Sequence, residues 1–296
     1  MSISPAIVSA ARKTWRWQWN QLMNGLAPAD KDGNYCRKKS EAQKAQPPSK
    51  IDLLNRSSQE LPILIIGRSC PWAHRTWLLY ELRSLKSNIN LLIAEPDYQS
   101  GLWKIKPHLM GCESLLEIYK LCGSAPAQRA TVPALIDPQS TKNKKPKLLG
   151  NESAQLVEAM NIWPAKDNSP DFYPLDLKEE INTWQETLQE SVNNGVYKCG
   201  FARNQASYEK ASDQLFCSLE KIETNLSIKG PWLCGERLTL ADIRLFPTLI
   251  RWESVYNPLF NCSQKPLMVF PHILKWRKSF FEMPGVSNTC NAMSWR

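Results

Sequence analysis

Residues 61–77 read LPILIIGRSCPWAHRTW, and this stretch decides the fold of the region around it. The first six residues are aliphatic apart from one proline and are closed by Gly67, which is typical of a short buried β-strand. Pro71 fits the first position of a helix, where its missing N–H costs nothing. Apolar residues then recur at helical spacing over the next dozen positions. The stretch therefore predicts a buried strand and then a helix, with Cys70 at the helix N-terminus.

Cys70 has two interpretations, a small buried hydrophobe or a reactive thiol. Most free cysteines are of the first kind. The second is favoured here because the free N–H groups and the dipole of a helix N-terminus stabilise a thiolate. His74 and Arg75 add two basic residues within the first turns. We therefore predict a reactive Cys70 with a pKa below that of an ordinary thiol, and a His74 that is packed or exposed rather than a general base.

The composition is that of a globular protein with two modest domains. The chain has 296 residues, 43% of them hydrophobic, and twelve tryptophans, enough for a substantial core. No apolar run is long enough to span a bilayer, and the first residues lack the apolar segment of a secretory signal. The nine cysteines form no C-x-x-C pair and no cluster with the three histidines, so neither a disulfide framework nor a metal site is predicted. A reducing compartment, most simply the cytoplasm, is expected.

The formal net charge of +9 raises the question of a polyanionic partner. Much of the excess lies in the segments RKKSEAQKAQPPSK and STKNKKPK, which are typical of solvated loops. No zinc-finger or basic-zipper pattern accompanies them. We therefore expect neither nucleic acid nor a membrane as partner, and a positive field that favours anionic small molecules.

The chain divides into three parts. Residues 1–60 are predicted to be an N-terminal extension, with a helix or docking arm around RKTWRWQWNQLM, whose alternating tryptophans also fit a strand. Residues 61–165 alternate strands with helices and predict an α/β unit. Residues 166–296 carry apolar stripes at helical spacing and predict an all-α domain. Within the last part, Thr239 and Asp242 form a capping pattern ahead of an apolar helix, so Asp242 is predicted to be structural rather than catalytic.

Several stretches in both predicted domains resemble one family. They are CPWAHRT, ATVPALID, NESAQLVEAM, DFYPLDLKEEI, VNNGVYKCGFA and LTLADIRLFPTLIRWESVY. Together, in this order, they are similar to the xi-class glutathione transferases, the glutathionyl-hydroquinone reductases. The resemblance implies a thioredoxin-like domain followed by a helical domain, glutathione as co-substrate and a homodimer.

The resemblance also implies a reaction. A single thiol at a helix start has no resolving cysteine beside it, so it needs an external thiol to finish its cycle. In the family, the thiolate attacks the sulfur of a glutathionyl-hydroquinone, releases the hydroquinone and forms a mixed disulfide with glutathione. A second glutathione then frees the cysteine, here Cys70, and leaves as oxidised glutathione.

The glutathione site is assigned by the same resemblance. Val132 precedes Pro133, which matches the cis-proline of thioredoxin-like folds and turns the Val132 backbone toward the cysteinyl part of glutathione. Glu152 and Ser153 begin the NESAQLVEAM helix, where a carboxylate and free N–H groups fit the ends of the γ-glutamyl group. From the residues alone, Val-Pro is a common trans dipeptide, and Glu152 and Ser153 are compatible with an ordinary helix start.

Three further residues match family positions. Trp103 and Arg129 match contacts to glutathione, although on their own they read as a core tryptophan and a surface arginine. Tyr197 matches a tyrosine that lines the hydroquinone pocket, where its phenol hydrogen-bonds the substrate oxygen. The alternative for Tyr197 is a packed aromatic residue at a helix end.

The sequence departs from the family pattern at its end. Family members usually continue into a tail with a further tyrosine, whereas this sequence stops at PGVSNTCNAMSWR, so the resemblance does not specify its substrate preference. The predicted substrates are glutathionylated hydroquinones or related aromatic conjugates. Two alternatives stay open: an omega-like enzyme that reduces small mixed disulfides or dehydroascorbate through Cys70, and a non-catalytic binding or scaffold protein with the same fold.

Overall fold

The computed structural model describes residues 4–36, 46–124, 130–139 and 145–295. Its sheet has six strands in the order β4-β3-β2-β1-β5-β6. The strands are β1 Ile63–Gly67, β2 Asn90–Pro96, β3 Trp103–Leu109, β4 Cys112–Ser114, β5 Ala134–Asp137 and β6 Lys147–Gly150. Strand β1 runs parallel to β2 and antiparallel to β5, and it is buried at every residue. The predicted buried strand is thus confirmed at the centre of the sheet.

The helices follow the predicted division of the chain. They are α1 Pro5–Leu26, α2 Lys50–Leu54, α3 Pro71–Leu82, α4 Leu115–Leu121, α5 Ser153–Asn161, α6 Lys178–Leu188, α7 Gly195–Gly200, α8 Gln205–Lys229, α9 Leu240–Leu249, α10 Asn257–Phe260 and α11 Pro271–Phe281. Single π-helical turns at Gln189–Asn193 and Trp252–Tyr256 precede α7 and α10. The α/β unit followed by helices is confirmed, while the predicted boundaries after residues 60 and 165 remain a proposal.

Two parts of the sheet were not predicted. The long connection after β2 contains the hairpin β3–β4, and a short strand, β6, lies between β5 and α5. In β3 only Ile105 is buried, so the sequence WKIKPHL lacks the apolar alternation that marks a half-buried strand. Strand β6 has four residues and only Gly150 is buried, which leaves too short a pattern to recognise.

The N-terminal extension forms a helix of 22 residues, α1, and then an arm that docks on the helical domain. Asn204 Nδ2 and Ser207 Oγ donate hydrogen bonds of 2.9 and 2.8 Å to the Asp32 carbonyl oxygen. Gly33 adopts a φ of +84°, and a Cβ built there would lie 2.5 Å from Asn204 Nδ2. The helix alternative predicted for RKTWRWQWNQLM is thus the one observed, whereas the docked segment is the stretch after α1, which needs glycine at residue 33.

Asp242 is a structural carboxylate, as predicted. It is fully buried and its Oδ2 accepts hydrogen bonds from the backbone N–H and the hydroxyl of Thr239, which completes a capping box at the start of α9. Its Oδ1 accepts from Trp276 Nε1 at 2.9 Å and from the Leu233 N–H at 3.0 Å. Asp242 thereby links α9 to α11 and to Leu233, in the loop that precedes α9.

Candidate functional site

Cys70 lies between β1 and α3, at the position that the sequence predicted. It is the N-cap residue of α3, and Pro71 occupies the first helical position. The Cys70 N–H donates to the Gly67 carbonyl at 3.0 Å, which turns the chain from strand to helix. The Ala73 N–H points at the sulfur, with 3.5 Å between N and Sγ. A helix N–H and the helix dipole therefore act on this half-buried thiol.

The Val132–Pro133 peptide bond is cis, as the resemblance implied. The Cys70 Sγ lies 3.5 Å from the Val132 carbonyl oxygen, so the residues before β5 reach the thiol. Val132 is 6% exposed. The structure thus brings the predicted peptide-binding residue and the predicted nucleophile together, although they are 62 residues apart in sequence.

Glu152 and Ser153 lie at the start of α5, and both have side chains with unused hydrogen-bonding capacity. Glu152 is the N-cap residue, but its carboxylate makes no capping hydrogen bond. The Ser153 side chain is buried, and its Oγ has no hydrogen-bond partner among the described residues. An unsatisfied buried hydroxyl at a helix N-terminus is suited to a carboxylate or ammonium group of a ligand.

A cavity of about 730 Å³ adjoins this helix start. Glu152 and Ala154 contribute one wall, and the N-terminal arm contributes another with Asp30, Tyr35 and Cys36. The remaining wall comes from the helical domain: Gln189, Glu190, Asn194, Lys198, Ser207, Lys210, Ala211 and Gln214. Neither Cys70 nor Tyr197 lines this cavity.

Trp103 lies beside the loop that carries Cys70. A Cβ built on Gly67 would lie 2.4 Å from Trp103 Cζ3, so the indole occupies the space that a side chain at residue 67 would need. Gly67 is required here for close approach rather than for its φ. Trp103 is only partly buried, which fits a role at the edge of a site. Arg129, the other residue assigned to glutathione by resemblance, lies outside the described residues.

Tyr197 belongs to an aromatic cluster next to α3. Its ring stacks on Trp72 with 6.0 Å between ring centroids, and it stacks on Phe201 at 6.1 Å. Phe260 and Tyr256 meet it edge-on at 5.4 and 5.9 Å. Trp72 is two residues from Cys70, so this half-buried cluster faces the start of the same helix.

Tyr256 was not singled out from the sequence. It is 2% exposed, and its hydroxyl hydrogen-bonds that of Tyr197. Burial raises the pKa of Tyr256 well above its ordinary value, and the neighbouring Tyr197 raises the pKa further. Tyr256 therefore stays a neutral phenol next to Tyr197. It lies in the quoted stretch RWESVY, but its spacing there is that of an ordinary core position.

Arg251 is a second residue that the sequence did not reveal. The side chain is 1% exposed and lies 4.5 Å from the ring centroid of Trp295. Its Nη1 donates to His74 Nδ1 at 2.7 Å and to the Pro247 carbonyl at 3.0 Å. Its Nη2 donates to the Arg68 carbonyl at 3.2 Å. These bonds fix a buried guanidinium between α9 and the loop that carries Cys70.

The titratable groups that interact most strongly with Arg251 are thiols and phenols. Burial lowers its pKa, and the groups that oppose this are Tyr256, Cys70, Cys290 and Tyr197. In the described part of the chain no carboxylate counts among them. Because electrostatic interactions are reciprocal, Arg251 favours the thiolate of Cys70.

His74 is a packed residue, as predicted, and it carries no charge. A guanidinium can only donate, so His74 Nδ1 accepts from Arg251, and His74 Nε2–H donates to Thr289 Oγ1 at 2.8 Å. Burial, and then Arg251, lower the pKa of His74 well below its ordinary value. The expectation that His74 supplies positive charge to Cys70 is therefore wrong.

Arg75 does not take over that role in the contacts described for it. Its guanidinium lies 4.4 Å from the ring centroid of Trp72, and its Nη1 is 3.4 Å from Gln189 Oε1. A cation that does interact electrostatically with Cys70 is Arg251, which comes from the helical domain and bonds the Arg68 carbonyl two residues before the thiol.

Replacing Arg251 tests this electrostatic link. We expect Arg251→Met to raise the pKa of Cys70 by about one unit or more, because a nearby opposite charge typically shifts a pKa by that amount. Arg251→Lys should keep most of the effect. The measurement is the rate of iodoacetamide labelling of Cys70 against pH, read by peptide mapping.

Arg244→Met is the matched control, because Arg244 is a buried arginine within α9 that pairs with Glu158 at 2.9 Å. It should lower the melting temperature without moving the labelling profile. An unchanged profile in Arg251→Met would reduce Arg251 to a structural residue.

The described residues contain no group of three or more His, Cys, Asp or Glu side chains that could hold a metal ion. All nine cysteines are free thiols.

Comparison with known proteins points to one family. Residues 174–284 match the family model described as glutathione S-transferase, C-terminal domain. The glutathionyl-hydroquinone reductase PcpF of Sphingobium chlorophenolicum is 33% identical over 221 residues, which cover 71% of this chain and 68% of the relative. YqjG of Escherichia coli K-12, also named a glutathionyl-hydroquinone reductase, is 31% identical over 240 residues. The aligned region covers 77% of this chain and 71% of YqjG.

Two solved structures show the same fold. The glutathione-bound structure of YqjG superimposes with a TM-score of 0.71 at 31% identity. The superposition covers 79% of this chain and 78% of the YqjG chain. The glutathione S-transferase Xi of Phanerochaete chrysosporium gives a TM-score of 0.78 at 28% identity. The superposition covers 90% of this chain and 88% of the Xi chain. Both domains of the chain therefore have counterparts in glutathione transferases.

Proposed function

The chain belongs to the glutathione transferase superfamily, in the family of the glutathionyl-hydroquinone reductases, and from this membership we propose that it is an enzyme whose nucleophile is Cys70. The substrates are glutathionyl-hydroquinones or related aromatic conjugates of glutathione. The products are the free hydroquinone and oxidised glutathione.

The reaction balances in two steps. The Cys70 thiolate attacks the sulfur of the glutathionyl-hydroquinone, and the bond between that sulfur and the ring carbon breaks. The ring carbon takes up a proton, and Cys70 and glutathione are left joined as a mixed disulfide. The thiolate of a second glutathione then attacks this disulfide, forms oxidised glutathione and frees Cys70. The ring is reduced by two electrons, and the two glutathione sulfurs are oxidised by two.

One observation carries this proposal: the buried Arg251 guanidinium, whose largest favourable interactions include no carboxylate, is hydrogen-bonded to the Arg68 carbonyl, two residues before the thiol at a helix N-terminus. A buried charge without a partner is costly, so Arg251 gains most when Cys70 ionises. The same thiolate then serves as the nucleophile and, after the attack of the second glutathione, as the leaving group.

The glutathione-binding residues are proposed from the resemblance and from their positions. The Val132 backbone lies next to the thiol and is suited to the cysteinyl part. Glu152 and Ser153 are suited to the γ-glutamyl end, because the free Ser153 hydroxyl and the N–H groups of α5 meet there. Trp103 covers the turn before Cys70. Arg129 stays in this proposed set through the resemblance alone.

Tyr197 is proposed to act on the hydroquinone. The phenol donates a hydrogen bond to the ring oxygen on which charge develops as the carbon–sulfur bond breaks. Its partner Tyr256 is buried and neutral, so it holds the Tyr197 hydroxyl in place. Trp72 and Phe260 supply flat apolar surfaces against which an aromatic ring can stack.

The function is tested by turnover with a glutathionyl-hydroquinone and free glutathione. Release of the hydroquinone together with oxidised glutathione supports the proposal. An enzyme that reduces dehydroascorbate or a small mixed disulfide but not this conjugate is omega-like. A protein that binds glutathione and turns over none of these substrates is a binding protein.

The binding site is tested with Glu152→Ala. We expect the affinity for glutathione to fall about tenfold or more, because a charge-assisted hydrogen bond contributes about 1.5–3 kcal/mol. Calorimetric titration with glutathione gives the affinity, and thermal unfolding gives the stability. Glu186→Ala is the control, because Glu186 is exposed on α6 away from the site. Equal affinities in the two variants would remove Glu152 from the site.

We further propose that the protein is a homodimer and works in the cytoplasm. The dimer is implied by the family resemblance, and the nine free cysteines fit a reducing compartment. Sedimentation equilibrium distinguishes a dimer from a monomer.

A further inference from the structure

Helix α1 (Pro5–Leu26) has an unusual distribution of charge. It carries Arg12, Lys13 and Arg16 and no acidic residue. It also holds three of the twelve tryptophans of the chain within five positions. Tryptophan prefers the boundary between water and the acyl region of a bilayer, and cations prefer an anionic lipid surface.

Five apolar residues of α1 lie on one face. Val8, Ala11, Trp15, Trp19 and Leu22 follow one another at spacings of three and four residues, which places them on one side of a helix. The three cations fall beside this face and on the polar side. Trp17, two positions from either of the other tryptophans, projects from the opposite side.

The described parts of the chain leave this face uncovered. From Pro5 to Gly25, Met23 is the one residue that is not exposed, and Trp15 and Trp19 are 70% and 50% exposed. The contact described between this helix and the body lies at its end, where Arg203 Nη2 is 3.5 Å from Asn24 Oδ1. A helix of 22 residues is about 33 Å long, so the exposed apolar face is extensive.

We propose that α1 binds the surface of an anionic lipid membrane, with Trp15 and Trp19 in the interface and the three cations on the lipid headgroups. An amphipathic helix with tryptophan and leucine on one face and basic residues beside it is suited to lie in the plane of the interface. None of the described helices is both long and apolar enough to cross a bilayer, and surface binding does not require one. The expectation of no membrane partner rested on the lack of a spanning segment and on the basic residues of two predicted loops, and it took no account of the charge on α1.

Charge complementarity favours lipid over a second copy of this chain. Two α1 helices that met through the same face would bring six cations together, without an acidic residue in either helix to offset them. An anionic bilayer supplies the opposite charge along the whole helix. The arm that follows α1 is bonded to α8 through Asp32, so binding of α1 would hold the folded body at the membrane.

The experiment is co-sedimentation of the full-length protein with vesicles. We expect binding to phosphatidylcholine vesicles that contain about 30% phosphatidylserine, and little binding to phosphatidylcholine alone. The binding should fall steeply in about 0.5 M NaCl, where the Debye length is only roughly 4 Å. A blue shift of the tryptophan emission should accompany it.

Matched variants distinguish binding through this face from non-specific binding of the protein to vesicles. Trp15→Ala with Trp19→Ala should lower the partition constant about tenfold or more, whereas Trp17→Ala, on the opposite side of the same helix, should leave it within about twofold. Replacing Arg12, Lys13 and Arg16 by glutamine should lower it about 100-fold, since each cation contributes roughly fivefold. Replacing Lys86, Lys221 and Lys275 by glutamine removes the same charge from exposed sites elsewhere and should have little effect.

Three outcomes would overturn the proposal. One is equal binding to neutral and anionic vesicles, and another is equal binding by the Trp15/Trp19 and Trp17 variants. The third is a protein that does not bind vesicles and whose wild-type form is a dimer in sedimentation equilibrium, while the double variant Trp15→Ala/Trp19→Ala is a monomer. That result would assign the face to a second copy of the chain. Circular dichroism and melting of each variant show that the body remains folded.

Discussion

Replacing Cys70 by serine is expected to lower turnover of a glutathionyl-hydroquinone by roughly 10³-fold or more, because a hydroxyl at this position cannot form the mixed disulfide. The fold should survive, since Cys70 is half-buried and its side chain accepts one N–H that a serine hydroxyl also accepts. Steady-state release of the hydroquinone measures the rate. Intact mass after incubation with oxidised glutathione should show one added glutathionyl group in the wild type and none in Cys70→Ser.

Two other cysteines serve as controls. Cys217→Ser removes an exposed thiol on α8 and should leave both activity and adduct unchanged. Cys290 lies 4.0 Å from His74 Nε2 and also interacts with Arg251, so Cys290→Ser tests whether a second thiol of this region takes part. Retention of the adduct in Cys70→Ser and its loss in Cys290→Ser would move the nucleophile to Cys290.

Four of the other thiols are expected to react more slowly than Cys70 near neutral pH. Burial raises the pKa of Cys122 to about 11 and that of Cys234 to about 12. Burial also raises the pKa of Cys112 and of Cys290. A thiol with a raised pKa holds little thiolate near pH 7, so adduct formation should be confined to Cys70 among these residues.

Tyr197→Phe is expected to lower the rate of hydroquinone release by about 10²–10³-fold while the Cys70 adduct with glutathione still forms. Loss of one well-placed donor to developing charge costs about 2.7–4 kcal/mol of transition-state stabilisation. The adduct depends on the thiolate and on the glutathione subsite around Val132, whereas the proposed role of Tyr197 is toward the hydroquinone oxygen. Single-turnover kinetics with the conjugate measure the first step, and mass after oxidised glutathione measures the adduct.

Tyr256→Phe separates positioning from catalysis. If Tyr256 orients the Tyr197 hydroxyl, its replacement should reduce the rate less than Tyr197→Phe, and the double variant should be no slower than Tyr197→Phe. Tyr98→Phe is the control, because Tyr98 is 86% exposed. A rate in Tyr197→Phe that equals the wild type would return Tyr197 to a packing role. Reduction of a small mixed disulfide at the wild-type rate in the same variant would then favour the omega-like activity.

Much of the fold was predictable because it depends on local pattern. The aliphatic run before Gly67 can only be a buried strand of this length, and Pro71 then fixes where the next helix begins. The capping pattern of Thr239 and Asp242 likewise specified a helix start and a structural carboxylate, which four hydrogen bonds confirm. The hairpin β3–β4 escaped prediction because its exposed strands carry no alternation.

By itself, the sequence determined the position of the thiol, the start of its helix and the family to which the chain belongs, since each depends on residues that are adjacent or in a fixed order. Only the tertiary structure decided which charge acts on the thiol. His74 is four residues from Cys70, yet burial keeps it neutral, whereas Arg251 donates to His74 across 177 residues of sequence and keeps its charge next to Cys70. The physical reason is that the charge of a histidine depends on its solvation and its neighbours, and folding settles both. An arginine stays protonated even when buried, so packing decides only where its charge lies.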